Sequence, residues 1–476
     1  MRALRRTGGG MRRAGQTAIA AGALCGVMLA VSAVAGDHSP RVRPPNAVQP
    51  PGASFEKAST RGQKILLVKD SLRATLAQAA REPLKTSAKG AHRLAERVGV
   101  RVAGAVPLGP ALPRHQSQEA GGPLTPARLT PFYDSEPAYR ALLDLVGSAR
   151  CRIDLMIFGW DDDEAGRGVA VALTARARAG VPVRLMVDRG GYVSGEGNAA
   201  VAEGAYTFLD ALRAEPNVRV IETPDASFRF DHRKVAVIDD RVVWTGGMIL
   251  TRPALTRWHN FAFLAEGPIV AQYAAVFDER WRESGGGSVR TCADAAGQAG
   301  VVPNASVRMV RTDVGERSLK EAVYGSFDSA RHHIYLENPY FSDKILIRKL
   351  MDARARGVDV RAVLTMRGDV RMMNKITADT ANRLFRAGAR VYLYPAMTHV
   401  KAMSVDGRLA YMGTGNFDEL SLRNNREVAL TVRGPGFVGE IEKNLFLRDM
   451  AASEELHALL PPPRGLFFLD TTRLWY

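Results

Sequence analysis

Residues 228–247 read FRFDHRKVAVIDDRVVWTGG, and residues 397–416 read MTHVKAMSVDGRLAYMGTGN. The second is a near-duplicate of the first, displaced by 167 positions. Each holds His, one residue, Lys, four residues, Asp, six residues, then Gly: His232, Lys234, Asp239 and Gly246, and again His399, Lys401, Asp406 and Gly413. Within the first copy Val235 and Val237 alternate with Ala236 and Ile238, the two-residue period of a strand. Such a strand carries His and Lys, two apart, on one face. The glycines that follow, Gly246-Gly247 and Gly413-Thr414-Gly415, are expected to bring backbone N–H groups to that face, where a phosphate can approach. A doubled imidazole–ammonium pair suits phosphodiester chemistry, which needs a nucleophile, an acid for the leaving group and cations for the oxygens.

Working outward, the flanks repeat as well. Ser148-Ala149-Arg150 before RIDLMIF (152–158) matches Ser329-Ala330-Arg331 before HIYLENPYF (333–341). ARARAGVPVRLMVD (175–188) matches DARARGVDVRAVLT (352–365), a helix end, a glycine and an apolar strand in both cases. Strand–helix–strand order in each copy predicts an α/β protein of two duplicated halves, each a mostly parallel sheet flanked by helices. The halves are expected at 132–290 and 300–450, with a tail at 451–476.

The motifs HRKVAVIDDRVVWTGG, HVKAMSVDGRLAYMGTGN with SLRNNRE behind it, and ENPYF (337–341) resemble the phospholipase D superfamily, in particular its cardiolipin synthase-like and phosphatidyltransferase members. The resemblance spans about 130 to 450. It implies a bilobal unit and a two-step displacement that uses neither metal nor cofactor. One histidine attacks phosphorus while the other protonates the departing alcohol and then activates water or an acceptor alcohol. By resemblance His232 is the nucleophile and His399 the acid; the residues themselves do not order them. Lys234 and Lys401 clamp phosphate oxygens, Asn416 donates to one, and Glu427 orients a histidine through its ring nitrogen. Asp239 and Asp406 belong to the motif, with a structural role favoured over a chemical one. Two departures stand out in the first copy. Ile249 occupies the place of the paired Asn, and Asn260, in Trp258-His259-Asn260, stands where an acid is usual.

Composition sets the surroundings. The 476 residues include 65 Lys+Arg against 49 Asp+Glu, a net charge of +16, so anionic partners are favoured. Arg2, Arg5, Arg6, Arg12 and Arg13 precede the uncharged TAIAAGALCGVMLAVSAVA (17–35), a secretory signal with a small-x-small end or an N-terminal anchor. Both place the remainder across a membrane, periplasmic or secreted. A Pro-rich stem follows, then a helical stripe at 56–100 ringed by Lys64, Lys69, Arg73, Arg81 and further cations, suited to an anionic membrane surface or to packing on the main fold. Pro/Gly-rich sequence from about 103 to 131 reads as linker. Cys151 and Cys292 either pair or lie buried as thiols.

These features predict an exported enzyme acting on membrane phospholipid, by hydrolysis or transfer. The alternatives are a secreted metal-independent nuclease, with nucleic acid the less favoured partner, and a non-catalytic lipid-binding member of the family. Head group, acceptor and oligomeric state are not legible.

Overall fold

The computed structural model describes residues 120–188, 191, 207–223, 229–287, 292 and 300–461. The targeting segment, the basic stripe at 56–100 and the aromatic end at 466–476 lie outside the described residues.

Two copies of one plan share a single sheet. The first contains β1 (Thr125–Phe132), α1 (Ser135–Ser148), β2 (Ile153–Ile157), α2 (Glu164–Arg178), β3 (Val183–Asp188), α3 (Thr207–Ala214), β4 (Val218–Thr223), β5 (Val235–Ile238), β6 (Val242–Gly246), α4 (Arg252–Thr256), β7 (Ala262–Glu266) and α5 (Ile269–Glu283). The second contains β8 (Ala305–Thr312), α6 (Ser318–Ser329), β9 (His333–Asn338), α7 (Lys344–Ala355), β10 (Asp359–Thr365), α8 (Arg371–Arg386), β11 (Arg390–Tyr394), β12 (Ala402–Val405), β13 (Leu409–Gly413), α9 (Glu419–Arg423) and β14 (Glu427–Arg433). It closes with α10 (Pro435–Ile441), a π-helical turn (Glu442–Leu447), α11 (Arg448–Ala451) and the short edge strand β15 (Glu454–Glu455). The 15 strands run in the order β15-β11-β10-β9-β12-β13-β14-β8-β1-β7-β6-β5-β2-β3-β4. Reading outward from the β8–β1 seam, every strand of one half except β15 has a counterpart at the same place in the other, which is the sheet form of the sequence duplication.

The parallel part is narrower than the sequence suggests. β2, β3 and β4 run parallel, as do β9, β10 and β11, while the remaining pairings are antiparallel. The reason lies in the motif. Each His-Lys strand turns straight back through a two-residue turn, and a crossover helix has no room to form.

Those turns explain the motif aspartates. Asp239 and Asp240 both have φ of 54°, and Arg241 N–H bonds the Ile238 carbonyl at 3.0 Å. Asp406 and Gly407 have φ of 56° and 63°, with Arg408 N–H on the Val405 carbonyl at 3.1 Å. These are hairpin turns whose handedness matches strand twist, and Asp tolerates the left-handed region. Asp239 accepts from the N–H groups of Arg150, Cys151 and Arg152 at 2.7–2.9 Å. Asp406 does the same for Arg331, His332 and His333 at 2.7–2.9 Å. Both sit at the far end of their strands from the histidines, so placing them among the chemical groups is corrected here: they tie each hairpin to the entry of the neighbouring strand. Replacing Asp406 with Ala strands three donors and is expected to cost about 2–3 kcal/mol in a denaturant titration, with the folded fraction keeping its turnover rate.

A second correction concerns the linker. Residues 125–131 are not linker but β1, in the middle of the sheet, so the first half begins at Thr125 rather than 132. Pro126 and Pro131 hide the strand, since proline seldom occurs in a central ladder. Leu129 N–H bonds Asn304 Oδ1 on the β8 side at 2.9 Å, and alternate residues face opposite neighbours. Pro131 therefore faces the β8 side beyond the last β8 pairing, Ala127 with Ala305, and Pro126 faces the β7 side beyond Arg128 with Glu266. Neither proline removes a ladder bond.

Packing follows the alternation in the motif. Val235 and Val237 enter a core that runs under both halves with Val400, Ala402, Val428 and Phe437, whereas Ala236 and Ile238 enter a core of the first half with Leu155, Leu173 and Trp244. The corresponding core of the second half gathers Leu319, Phe327, Leu350, Met403 and Phe417. Cys151 and Cys292 form a disulfide, which pins the chain between the halves to the start of β2.

Candidate active site

His232 and Lys234 lie on the extended lead-in to β5, and His399 and Lys401 on that to β12. Each lead-in is zipped to a segment of the opposite half. His232 N–H donates to the Arg426 carbonyl at 3.0 Å and Arg426 N–H to the Phe230 carbonyl at 2.8 Å. In mirror fashion His259 N–H donates to the Met397 carbonyl at 2.8 Å and His399 N–H to the His259 carbonyl at 2.7 Å. Strand alternation then puts the next residue on each segment, Glu427 and Asn260, against the imidazole of the other half.

His232 Nδ1 donates to Glu427, at 2.9 Å and 3.1 Å from its two oxygens. The carboxylate also accepts from Thr414 Oγ1 at 2.6 Å and Ser421 Oγ at 2.7 Å. Burial pushes the Glu427 carboxyl up, but the His232 and Lys234 charges and these donors leave it below its ordinary value, hence ionised. A carboxylate on Nδ1 fixes the proton there and leaves the Nε2 lone pair free to attack.

His399 Nδ1 lies 3.1 Å from Asn260 Oδ1. The amide orientation is set from behind, since Asn260 Nδ2 donates to the Ala254 carbonyl at 2.9 Å and to Ser135 Oγ at 3.1 Å. The departure at Asn260 therefore acts on His399, the histidine of the opposite half, and the site is asymmetric: an anion behind His232, a neutral amide behind His399. An Asn260→Asp variant is expected to raise the His399 pKa and move the alkaline limb of kcat/KM to higher pH. It should also lose about 1–2 kcal/mol of stability through its clash with the Ala254 carbonyl. Ring NMR titration reads this, and a His399 resonance unmoved by the substitution would sink the assignment.

Each lysine Nζ donates to its own histidine carbonyl, at 2.6 Å for Lys234 and 2.9 Å for Lys401. All four cation-forming groups are buried. Burial, only partly offset by Glu427, pushes His232 down to about 4 and Lys234 down to about 7. Burial first, then repulsion from Lys401, Lys234 and His232, takes His399 well below its ordinary value. Lys401 is lowered in the same way by burial and then by Lys234. The groups of the two halves act on one another's charge, and Glu427 is the carboxylate that bonds one of the two imidazoles directly. An anion entering this site would favour the charged forms of both lysines.

Of the glycines expected to cradle a phosphate, Gly246, Gly247, Gly413 and Gly415, two have their N–H groups taken within the fold, which corrects the expectation for Gly247 and Gly413. Gly247 N–H bonds the Phe261 carbonyl at 2.9 Å, Gly413 N–H the Lys401 carbonyl at 3.3 Å and Thr414 N–H the Val428 carbonyl at 3.0 Å. Their role is close approach. A Cβ on Gly247 would lie 2.4 Å from the His399 carbonyl oxygen, and one on Gly413 2.4 Å from Ala429 Cβ. Gly247 thus lets the two halves meet at the second histidine. Asn416 is buried, with its amide nitrogen donating to Asp418 and its Oδ1 without a partner.

Several contributors escape sequence reading. Phe158 packs edge-on to His232, ring centroids 4.8 Å apart, with Lys234 Nζ 5.0 Å from its centroid. Trp258 packs on His399 at 5.1 Å. Phe158 follows the carboxyl end of β2, the usual position for ligand-facing residues in an α/β sheet, and that is the one signal available. His259, Glu337 and Asp449 lie behind the second lead-in with one potential ligand atom each, all within 4.8 Å of one another. Glu337 does not line the cleft; its carboxylate takes the Thr398 hydroxyl. His259 Nε2 donates to Asp449 at 2.8 Å, and Arg448 holds the other Asp449 oxygen at 2.9 Å. Burial lowers His259, but hydrogen bonds to Asp134 and Asp449 outweigh it and raise the group to about 10. Burial, with Asp449 beside it, pushes Glu337 up to about 8. The hydrogen bonds from His259 to Asp449 and from Thr398 to Glu337 close this cluster as a support for Thr398 and His399.

Residues 142–281 and 324–449 match the family described as "Cardiolipin synthase, PLD-like domain". The chain belongs to this phospholipase D-like family. Its two matched segments correspond to the two halves of the sheet, and it is an enzyme of the phospholipase D type, a phosphodiesterase or phosphatidyltransferase. Relatives of this phospholipase D-like chain include cardiolipin synthase A of Citrobacter koseri, 27% identical over an alignment of 365 residues that covers 72% of this chain and 73% of the relative. Cardiolipin synthase A of Salmonella arizonae is 26% identical over the same shares. Among solved structures, phosphatidylserine synthase of Haemophilus influenzae superposes with a TM-score of 0.58 at 14% identity, covering 75% of this chain and 96% of that one, a likeness of fold.

Proposed function

We propose that the protein is an exported phosphatidyltransferase that works on membrane phospholipid through a phosphohistidine. The observation that carries this reading is the cross-anchored histidine pair, one ring held by Glu427 and the other by Asn260, each from the opposite half. His232 Nε2 attacks phosphorus, the bond from phosphorus to the head-group oxygen breaks, and His399 delivers a proton to that oxygen. The phosphatidyl group is then held by a P–N bond. His399, now a base, removes the proton from an acceptor hydroxyl, whose oxygen attacks phosphorus; the P–N bond breaks and its electron pair returns to His232. Lys234 and Lys401 balance the phosphate charge throughout. The relatives named cardiolipin synthase A support phospholipid as substrate. The Cys151–Cys292 disulfide supports an oxidising compartment, as does the apolar stretch at 17–35.

Purified mature protein on phosphatidylglycerol vesicles is expected to release glycerol and form cardiolipin, both seen by mass spectrometry of the lipids. No released head group, no cardiolipin, and a His232→Ala variant equal to wild type would overturn the proposal.

A further inference from the structure

The lead-ins to the two histidines are zipped alike, but the charges behind them differ. The zipper residue on the first side is Arg426, and on the second it is His259. Arg426 holds Asp313 at 2.6 Å and Glu283 at 3.0 Å, while Arg233 and Arg280 hold Asp231 at 2.6 Å and 3.1 Å. Behind His232, then, three acids meet three guanidinium groups, which keep their charge.

Behind His399 the acids are less well matched. Asp134, Glu337 and Asp449 gather there, and Arg448 lies 3.0 Å from Asp134 and 2.9 Å from Asp449 Oδ1. His259 Nε2 is 2.8 Å from Asp449 Oδ2 and 3.8 Å from Glu337 Oε1. The Thr398 hydroxyl donates to that Oε1, but Glu337 Oε2 is buried without a hydrogen-bond partner among the described residues, on a side chain 0% exposed. One ligand atom from each of His259, Glu337 and Asp449 falls within 4.8 Å of the other two. A divalent ion with bonds of about 2.0–2.2 Å spaces its ligand atoms about 3–4 Å apart, close to what these residues show. The imidazole is already posed for that role. Tyr394 stacks on it with centroids 5.0 Å apart, and Nδ1 lies 3.4 Å from Asp134, the kind of carboxylate that stands behind a metal-bound histidine.

We infer that His259, Glu337 and Asp449 bind one divalent ion of the zinc or manganese class, through Nε2 and one oxygen of each carboxylate. A nitrogen with two carboxylates and no thiolate suits these ions better than calcium or copper(I). The ion takes the place of the proton between His259 Nε2 and Asp449, and gives Glu337 the cation it lacks. Its role is structural. It joins the segment before β7, strand β9 and helix α11 behind Thr398, and so steadies the lead-in that carries His399. The ion takes no part in the displacement at phosphorus, so the inference stands apart from the phosphatidyl-transfer reading.

The test strips the full-length protein with a chelator and titrates it by calorimetry with zinc chloride and, separately, with manganese chloride. One equivalent per chain is expected with at least one of the two ions, together with a higher melting temperature. Asp449→Asn and Glu337→Gln are each expected to weaken that binding by about ten-fold or more. X-ray absorption of the loaded wild type needs no variant to fold, and is expected to show a single imidazole with oxygen neighbours. Failure of wild type to bind either ion overturns the inference, and so does a shell containing sulfur or two imidazoles. Binding unchanged in both variants also overturns it, and leaves a proton as the charge that the two carboxylates share. None of these measurements depends on turnover, so their failure is distinct from failure of the transfer reading.

Discussion

His232→Ala is expected to lower turnover of phosphatidylglycerol by about 10⁴-fold and to abolish acid-labile phosphorus on the protein after rapid quench, because His232 is the histidine of the paired motifs whose Nδ1 is held by a carboxylate, which leaves its Nε2 free to attack. His399→Ala is expected to be as damaging on that lipid but not on every substrate. With a p-nitrophenyl phosphodiester the leaving group departs without a proton, so the first step should survive and the phosphohistidine should accumulate as one burst equivalent. The pair of results separates the two roles. A burst in His232→Ala and none in His399→Ala would reverse the assignment, and a burst in neither on the activated ester would remove the covalent step altogether.

Glu427→Gln is expected to cost about 10³-fold in kcat although it changes little in volume. A glutamine can present its N–H₂ to His232 Nδ1, which moves the ring proton to Nε2 and blocks the attacking lone pair. The pH dependence distinguishes this from a packing defect. The carboxylate raises the His232 pKa against the dominant effect of burial, so its removal lowers the pKa below about 4. Deprotonated imidazole is the reactive form, and the acid limb of kcat/KM should therefore shift to lower pH while the plateau falls. A plateau that falls with the acid limb unmoved would mean that Glu427 acts through structure alone, for instance through its bonds to Thr414 and Ser421.

Much of this was legible from two stretches of sequence. Spacing alone paired His232 with Lys234 and His399 with Lys401, and alternation in VAVI located the faces of β5. The flanking repeats announced two halves. What spacing does not encode is which half serves which histidine. Asn260 reads as a gap in its own copy because its contact, His399, lies 139 residues away across the seam. Local rules also misled where tertiary context overrode them. Glycine after a strand suggested an anion cradle, yet the N–H groups of Gly247 and Gly413 are taken by the sheet and their absent side chains matter more. Proline in 125–131 suggested linker, yet both rings face the ends of neighbouring ladders. The buried group of His259, Glu337 and Asp449 draws on three distant elements and leaves no pattern in the chain.

The exchange of supporting residues between copies has a genetic corollary. A change at position 260 is inherited with the first repeat but surfaces as a fault in the second repeat's histidine, and a change at 427 does the converse. After duplication neither copy was therefore free to drift by itself, and a gene carrying one repeat alone would encode a histidine with nothing behind it until two such products met.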